Sequence, residues 1–374
     1  MSEAQNESTF SSTPGAHSLA EILSQPDCWA SCLKLLEGSA AAKAAVDLCA
    51  VASEVIFVGC GSSYYAALSA AAAWGTLTGT RARAVPASEV ILYPELTLTG
   101  SSNFLPVLIS RSGRTSEVLK VGEFLKNRGV RSLAITCAPG QTLEQLATVT
   151  ICLTPADEQS TVMTRSFSSM LLAILHLAAT VAKHKALRAD LTRLVEPASA
   201  FLKTLPQRLK DFVDSHAFDD YVCLGQGPFF GIACESILKL TEMSVSYGQS
   251  FHTLEFRHGP KSIVGPKTLI LMLISESGYV AECEVLEEVK KLGGKTLVVA
   301  NRAGAARKHA DLCMETNLDV PEIARMGPYL FCGQLIGLYT GLKKGLNPDQ
   351  PRHLSRVVLL NELDSDETAE HAAL

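Results

Sequence analysis

The strongest constraint on how this chain folds is an internal repeat. Leu108-Ile109-Ser110-Arg111-Ser112-Gly113 and Leu273-Ile274-Ser275-Glu276-Ser277-Gly278 agree at five of six positions, 165 residues apart. Downstream, Gly129 corresponds to Gly294 and the apolar stretch 132–136 to 296–300, each after a helical pattern with basic residues near its end. Upstream, 57–61 faces 223–227. Three stations in the same order imply that one supersecondary design is used twice.

The design itself is legible in the hydrophobic periods. Short apolar strands at 54–58, 80–85, 107–109, 132–136 and 149–153 alternate with helical patterns at 64–75, 87–91, 117–128, 141–146 and 164–183. That rhythm predicts the α/β class: two tandem doubly wound, flavodoxin-like parallel-sheet domains with helices on both faces. The expected divisions are a polar disordered tail over 1–17, N-terminal helices over 18–39, a first domain over 40–190 and a second over 210–362. Residues 196–209 read as the connection and 363–374 as a C-terminal tail.

Composition narrows the class of protein. Apolar residues make up 47% and charged residues 19%, a globular balance that excludes a wholly disordered chain. A formal charge of −5 argues against a nucleic-acid footprint, which needs a basic face. The eleven cysteines form no CxxC pair, and no signal-peptide pattern opens the chain, so they read as buried free thiols of a cytoplasmic protein. Cys28 and Cys32 share a helix face, but no further ligands complete a metal set, and no metal is expected. The longest apolar stretch, 170–182, falls short of a bilayer span and reads as a buried helix, so no membrane partner is expected.

The stretch 108–119 passes from strand to helix through a turn crowded with Ser110, Ser112, Thr115 and Ser116 around Gly113. Such a turn aims backbone N–H groups and a helix dipole at one spot, which suits a phosphate; an ordinary capped turn is the alternative. The second copy has Glu276, Val280 and Ala281 where the first has Arg111, Thr115 and Ser116. Fewer hydroxyls and an added acid leave the first copy as the anion seat. The densest ionisable group lies later. Glu235, Lys239 and Glu242 fall on one helix face, where Glu235 and Lys239 read as a solvated stripe, and Arg257-His258-Gly259-Pro260 sets a titratable imidazole on a rigid loop.

These residues carry a family resemblance. Gly59-Cys60-Gly61-Ser62-Ser63, the 110–115 turn, Lys239 to Ser244, Arg257 to Pro260 and Asp349 to Leu354 resemble the double SIS (sugar isomerase) domain proteins over residues 40–362. The chain is similar to the isomerase half of glucosamine-6-phosphate synthase, the glutamine–fructose-6-phosphate aminotransferase. It resembles still more the galactosamine-6-phosphate deaminase/isomerase and tagatose-6-phosphate ketose/aldose isomerase branch, through Glu21-Ile22, Gln25-Pro26, Met163-Thr164 and Phe256 to Ser262.

The resemblance implies that Ser63, Ser110, Arg111, Ser112 and Thr115 hold the 6-phosphate of a hexose or hexosamine, with Gly61, Ser62, Thr161 and Met163 beside the sugar. It implies Glu242 as the base that moves a proton between C1 and C2, His258 reaching a neighbouring subunit's site to assist ring opening, a homodimer, and no cofactor. Two departures bear on the reaction. A glutaminase domain is not expected, because only about 40 residues precede the first α/β unit and no nucleophilic cysteine follows Met1. Where the synthase has a Schiff-base lysine, the register of 349–354 places Arg356, whose guanidinium stays protonated; Lys343 and Lys344 read as a solvent-facing pair. Together they point to an amino-hexose 6-phosphate deaminase. A fructosamine-6-phosphate deglycase, needing room around Met163 and His252, and a non-catalytic sugar-phosphate sensor are the rivals.

Overall fold

The computed structural model describes residues 13–98 and 103–359. Tail residues 1–12 and 363–374, and the expected end of the second domain at 360–362, lie outside the described residues.

Three helices come first: α1 (Ala16–Leu23), α2 (Gln25–Leu36) and α3 (Ala40–Ala50). The first repeat follows as β1 (Glu54–Gly59), α4 (Ser62–Thr78), β2 (Arg81–Pro86), α5 (Ala87–Leu92), α6 (Pro94–Thr97), β3 (Phe104–Ile109), α7 (Ser116–Asn127), β4 (Leu133–Thr136), α8 (Thr142–Leu146) and β5 (Val149–Cys152). Helices α9 (Arg165–Val181), α10 (Lys185–Arg193), α11 (Val195–Lys203) and α12 (Leu205–Asp214) lead to the second repeat. That repeat holds β6 (Asp220–Gly225), α13 (Phe229–Ser244), β7 (Gly248–Phe251), β8 (Thr268–Leu273), α14 (Tyr279–Lys291), β9 (Lys295–Ala300), β10 (Leu312–Glu315) and α15 (Met326–Lys343).

Each repeat forms a five-stranded parallel sheet, ordered β2-β1-β3-β4-β5 and β7-β6-β8-β9-β10, so the two topologies are the same. In both sheets the order reverses between the first and third strands, which leaves a crevice at their C-terminal ends. Alternation along each central strand divides the packing. Val55 and Phe57 of β1, with Tyr221 and Cys223 of β6, enter one continuous core shared by both sheets. Ile56 and Val58 instead meet α5 and α7, and Val222 and Leu224 meet α14.

Helices α4, α13 and α15 fill the space between the sheets, and glycines set their spacing. A Cβ on Gly231 of α13 would stand 2.5 Å from the Tyr65 carbonyl oxygen of α4. On α15, Gly333, Gly337 and Gly341 follow at one-turn intervals; a Cβ on Gly337 would meet the Lys239 carbonyl at 2.9 Å. Backbones this close admit no side chain between them.

Two segments differ from the sequence reading. The connection expected over 196–209 is α11 and α12, packed into the shared core through Ala198, Phe201, Leu202, Leu205 and Leu209. The tail expected to 17 is helical from Ala16, and it is clasped. The Gly15 N–H donates to Asn347 Oδ1 at 3.0 Å and the Ser18 N–H to Asp349 Oδ1 at 2.7 Å. The apolar stretch 170–182 is the buried part of α9, and among the described residues no helix is long and apolar enough to cross a membrane.

Candidate active site

A cavity of about 190 Å³ opens at the crevice of the first sheet. The β1–α4 turn contributes Cys60 to Ser63, and the β3–α7 turn contributes Arg111, Ser112 and Thr115. Two helix N-termini thus border one space, and their free amides and dipoles make it favourable to an anion. Gly113 has φ 62°, and a Cβ there would meet Gln141 Cβ at 2.9 Å, so only glycine closes this turn. The phosphate-seat residues expected from sequence do not all stand at the surface. Ser63, Ser112 and Thr115 line the cavity, whereas Ser110 is buried outside the lining and its hydroxyl bonds Thr115 Oγ1 at 3.2 Å.

Arg111 touches the cavity but spends its guanidinium on protein. It donates to Glu158 at 3.2 Å, to the Val162 and Thr161 carbonyls at 3.2 and 3.0 Å, and to the Arg356 carbonyl at 3.1 Å. Its side chain therefore frames the site and leaves the hydroxyls and amides to face an anion. Glu158 in turn accepts from the Thr164 N–H at 2.6 Å and Oγ1 at 2.8 Å, and from Ser166. Behind them, Glu21 of α1 accepts from the Gln159 N–H at 2.5 Å and from Ser160. Burial, and next the neighbouring Glu158, push the Glu21 carboxyl above the usual range. The two acids hold the loop that carries Thr161 and Met163, both in the lining. Sequence reasoning missed Glu158; no local pattern marks it.

The floor is supplied by the other repeat. Glu242 of α13 lines the cavity and is bonded by Lys239 Nζ, which also lies 3.2 Å from Ser62 Oγ and 3.4 Å from Glu235 Oε1. Glu235 and Lys239 are wholly buried, so the solvated stripe expected for them is corrected: this face of α13 packs on α4 and α15. Burial pushes Glu235 up to about 8 against the pull of Lys239, so near neutral pH it holds a proton. Burial alone would lower Lys239, but Glu235 and Glu242 beside it hold the ammonium above the usual lysine range. What remains is one ammonium against one carboxylate, the arrangement in which a buried charge is least costly.

The remaining side is a strap, 354–358, with Arg356 Nη2 on Asp157 Oδ1 at 2.6 Å. Lys343 Nζ is held by the Val213, Asp214 and His216 carbonyls and Lys344 Nζ by the Ser244 carbonyl and Ser246 Oγ, so both ammonium groups are anchored and neither lines the cavity. His258 does not line it either. It is exposed on a loop that Arg257 ties to α14 through Glu284 and Glu288 at 3.3 and 2.8 Å. His252 stacks on Phe230 with centroids 3.7 Å apart, away from the lining.

The matching seat in the second repeat is already filled. Glu322 Oε2 accepts from the backbone N–H groups of Glu276 and Ser277 at 2.5 and 3.0 Å, and Glu276 itself pairs with Arg325 at 2.7 Å. A carboxylate of the chain sits where the first repeat offers space.

Residues 49–180 match the SIS domain model. The crystal structure of glucosamine-6-phosphate deaminase from Thermotoga maritima is 30% identical, covering 92% of this chain and 100% of that one with a TM-score of 0.75. The chain belongs to the SIS domain family. Tagatose-6-phosphate ketose/aldose isomerase from Escherichia coli shares the fold, with a TM-score of 0.80 at 21% identity over 95% of this chain and all of that one. Glutamine–fructose-6-phosphate aminotransferase from Pyrobaculum aerophilum is 28% identical over 359 residues, 91% of this chain and 57% of that protein. The SIS chain thus spans about half the length of the curated relatives it matches.

Proposed function

We propose that this chain converts an amino-hexose 6-phosphate to a ketose 6-phosphate and ammonia. The observation that carries the reading is the placement of Glu242, a carboxylate fixed by Lys239, across the cavity from the hydroxyls and amides of Ser63, Ser112 and Thr115. With the 6-phosphate on the two helix N-termini, the open-chain sugar extends toward Glu242. The carboxylate takes the proton from C2 and returns it to C1 while a proton passes from the amine to O1, so the C1 aldehyde becomes an alcohol and the C2 amine an imine. Water adds to the imine carbon, its oxygen becomes the C2 ketone as the C–N bond breaks, and ammonia leaves carrying both hydrogens of that water. Among the described residues no lysine lines the cavity, which favours water over a Schiff base to the chain. Arg356 positions the strap through Asp157.

His258 is assigned to ring opening in a partner's cavity, since its loop is pinned outward on its own subunit. This makes the working unit a homodimer. The test is a panel of hexosamine and fructosamine 6-phosphates, with ammonia and ketose phosphate measured and Glu242→Gln run alongside. Turnover of a hexosamine 6-phosphate, abolished in the variant while binding persists, is the expected outcome. Turnover only of a fructosamine 6-phosphate selects the deglycase, and tight binding without turnover overturns the enzyme reading.

A further inference from the structure

A second cavity, about 530 Å³, lies where the turn between α2 and α3 faces the C-terminal half of α9 and the side of α10. His176 is 11 residues along α9 from Arg165, about 16 Å at the α-helical rise. The groove is therefore separate from the active-site loop at the start of that helix. Its floor is apolar, formed by Leu36, Ala42, Val46 and Leu177. Its walls carry Lys43 and Arg188, whose side chains make no ion pair or hydrogen bond among the described residues. Glu37 stands at the rim, its side chain without an ion pair or hydrogen bond among the described residues and its charge acting on His176. Two cations against one acid leave one positive charge unanswered over an apolar floor.

Two more features of the groove favour an oxyanion. The N-terminus of α3 borders it at Ser39 and Ala40; the Ser39 N–H is taken by the Leu36 carbonyl at 3.3 Å and Ser39 Oγ caps the Ala42 N–H at 3.2 Å, which leaves the Ala40 N–H and the helix dipole to favour an anion. His176 is buried in the wall, and its Nδ1 is sealed from solvent with no hydrogen-bond partner. Burial, and next the charge of Arg188, lower its pKa, so the ring is neutral near pH 7. An unpartnered lone pair costs less than an unpartnered N–H, which leaves the proton on Nε2, the ring's polar atom free to serve the groove.

We propose that this groove binds a small organic carboxylate, its apolar body on Leu36, Ala42, Val46 and Leu177 and its charged end between Arg188 and Lys43.

The test is calorimetric titration of the full chain with hexanoate. One site per chain is expected, with acetate at least about tenfold weaker for want of an apolar body, and with hexylammonium silent. The Arg188→Gln, Lys43→Gln double variant, both exposed positions, should weaken hexanoate at least about tenfold. The His176 ring resonance, assigned by its loss in His176→Gln, should move on addition of hexanoate. No heat at millimolar hexanoate, equal binding of hexylammonium, unchanged affinity in the double variant, or a static His176 resonance would each overturn the proposal.

Discussion

Lys239 Nζ, on the second repeat, stands 3.2 Å from Ser62 Oγ at the first turn of α4 on the first. One buried ammonium therefore joins the hydroxyl-lined side of the cavity to the carboxylate on its floor. Lys239→Met keeps the length of the side chain and removes the charge, leaving Glu242 without its counter-ion. The expected result is a loss of turnover of about 10²-fold or more with KM changed only a few-fold, together with about 3–5 kcal/mol lower stability. Steady-state kinetics and urea unfolding check the two parts separately. A KM effect alone would place Lys239 in binding.

Glu322→Ala empties the second repeat's turn and leaves the N–H groups of Glu276 and Ser277 without their acceptor. Because these N–H groups are exposed and can turn to water, it should cost about 0.5–1.5 kcal/mol of stability and leave KM for the sugar phosphate unaltered. Urea unfolding and initial-rate kinetics give the answer, and a KM shift would mean that the two seats communicate.

Glu282 is buried beneath the same turn, accepting from the Ser275 N–H and Oγ at 2.7 and 2.9 Å. Burial pushes it up to about 7, more than those bonds lower it. A raised folded-state pKa gives stability that is complete below the unfolded value of 4.5 and is lost as pH rises through 7. Glu282→Gln does not titrate. Its stability relative to the parent should grow between those pH values and then level off, by at most about 3 kcal/mol. Unfolding curves from pH 4.5 to 8 test this; a flat difference would show that the carboxyl is not raised.

Gly337→Ala drives a methyl against the Lys239 carbonyl and the Leu240 N–H at 2.9 and 3.0 Å, backbone atoms that cannot rotate aside. The helices must part, at about 1–3 kcal/mol, and Lys239 moves with them. Lower thermal stability should come with reduced turnover. A stability loss with full turnover would separate this helix contact from the site.

The repeat made both sheets legible because a doubly wound sheet writes each strand as an apolar run and each crossover as a helical period. The 110–115 turn was legible for a local reason: its glycine and hydroxyls are neighbours in sequence. Glu235 and Lys239 were not, since spacing shows which residues share a helix face and not what that face meets. The same limit hid α11 and α12. Pro197 and Pro206 lie within the first turns of these helices, where a missing N–H costs nothing. Glu158, Glu21 and Glu322 act across long separations, and no short pattern reports that.

The bonds from Gly15 to Asn347 and from Ser18 to Asp349 bring the start of the described chain against residues 347–349, near its other end, and Glu21 carries that contact on to Ser160, next to Thr161 of the cavity lining. Topologically the polypeptide is close to a ring. Its elements could be read from a different starting point, with a linker joining the ends beyond the clasp and the strap and new ends opened in an exposed turn, and every strand would keep its neighbours.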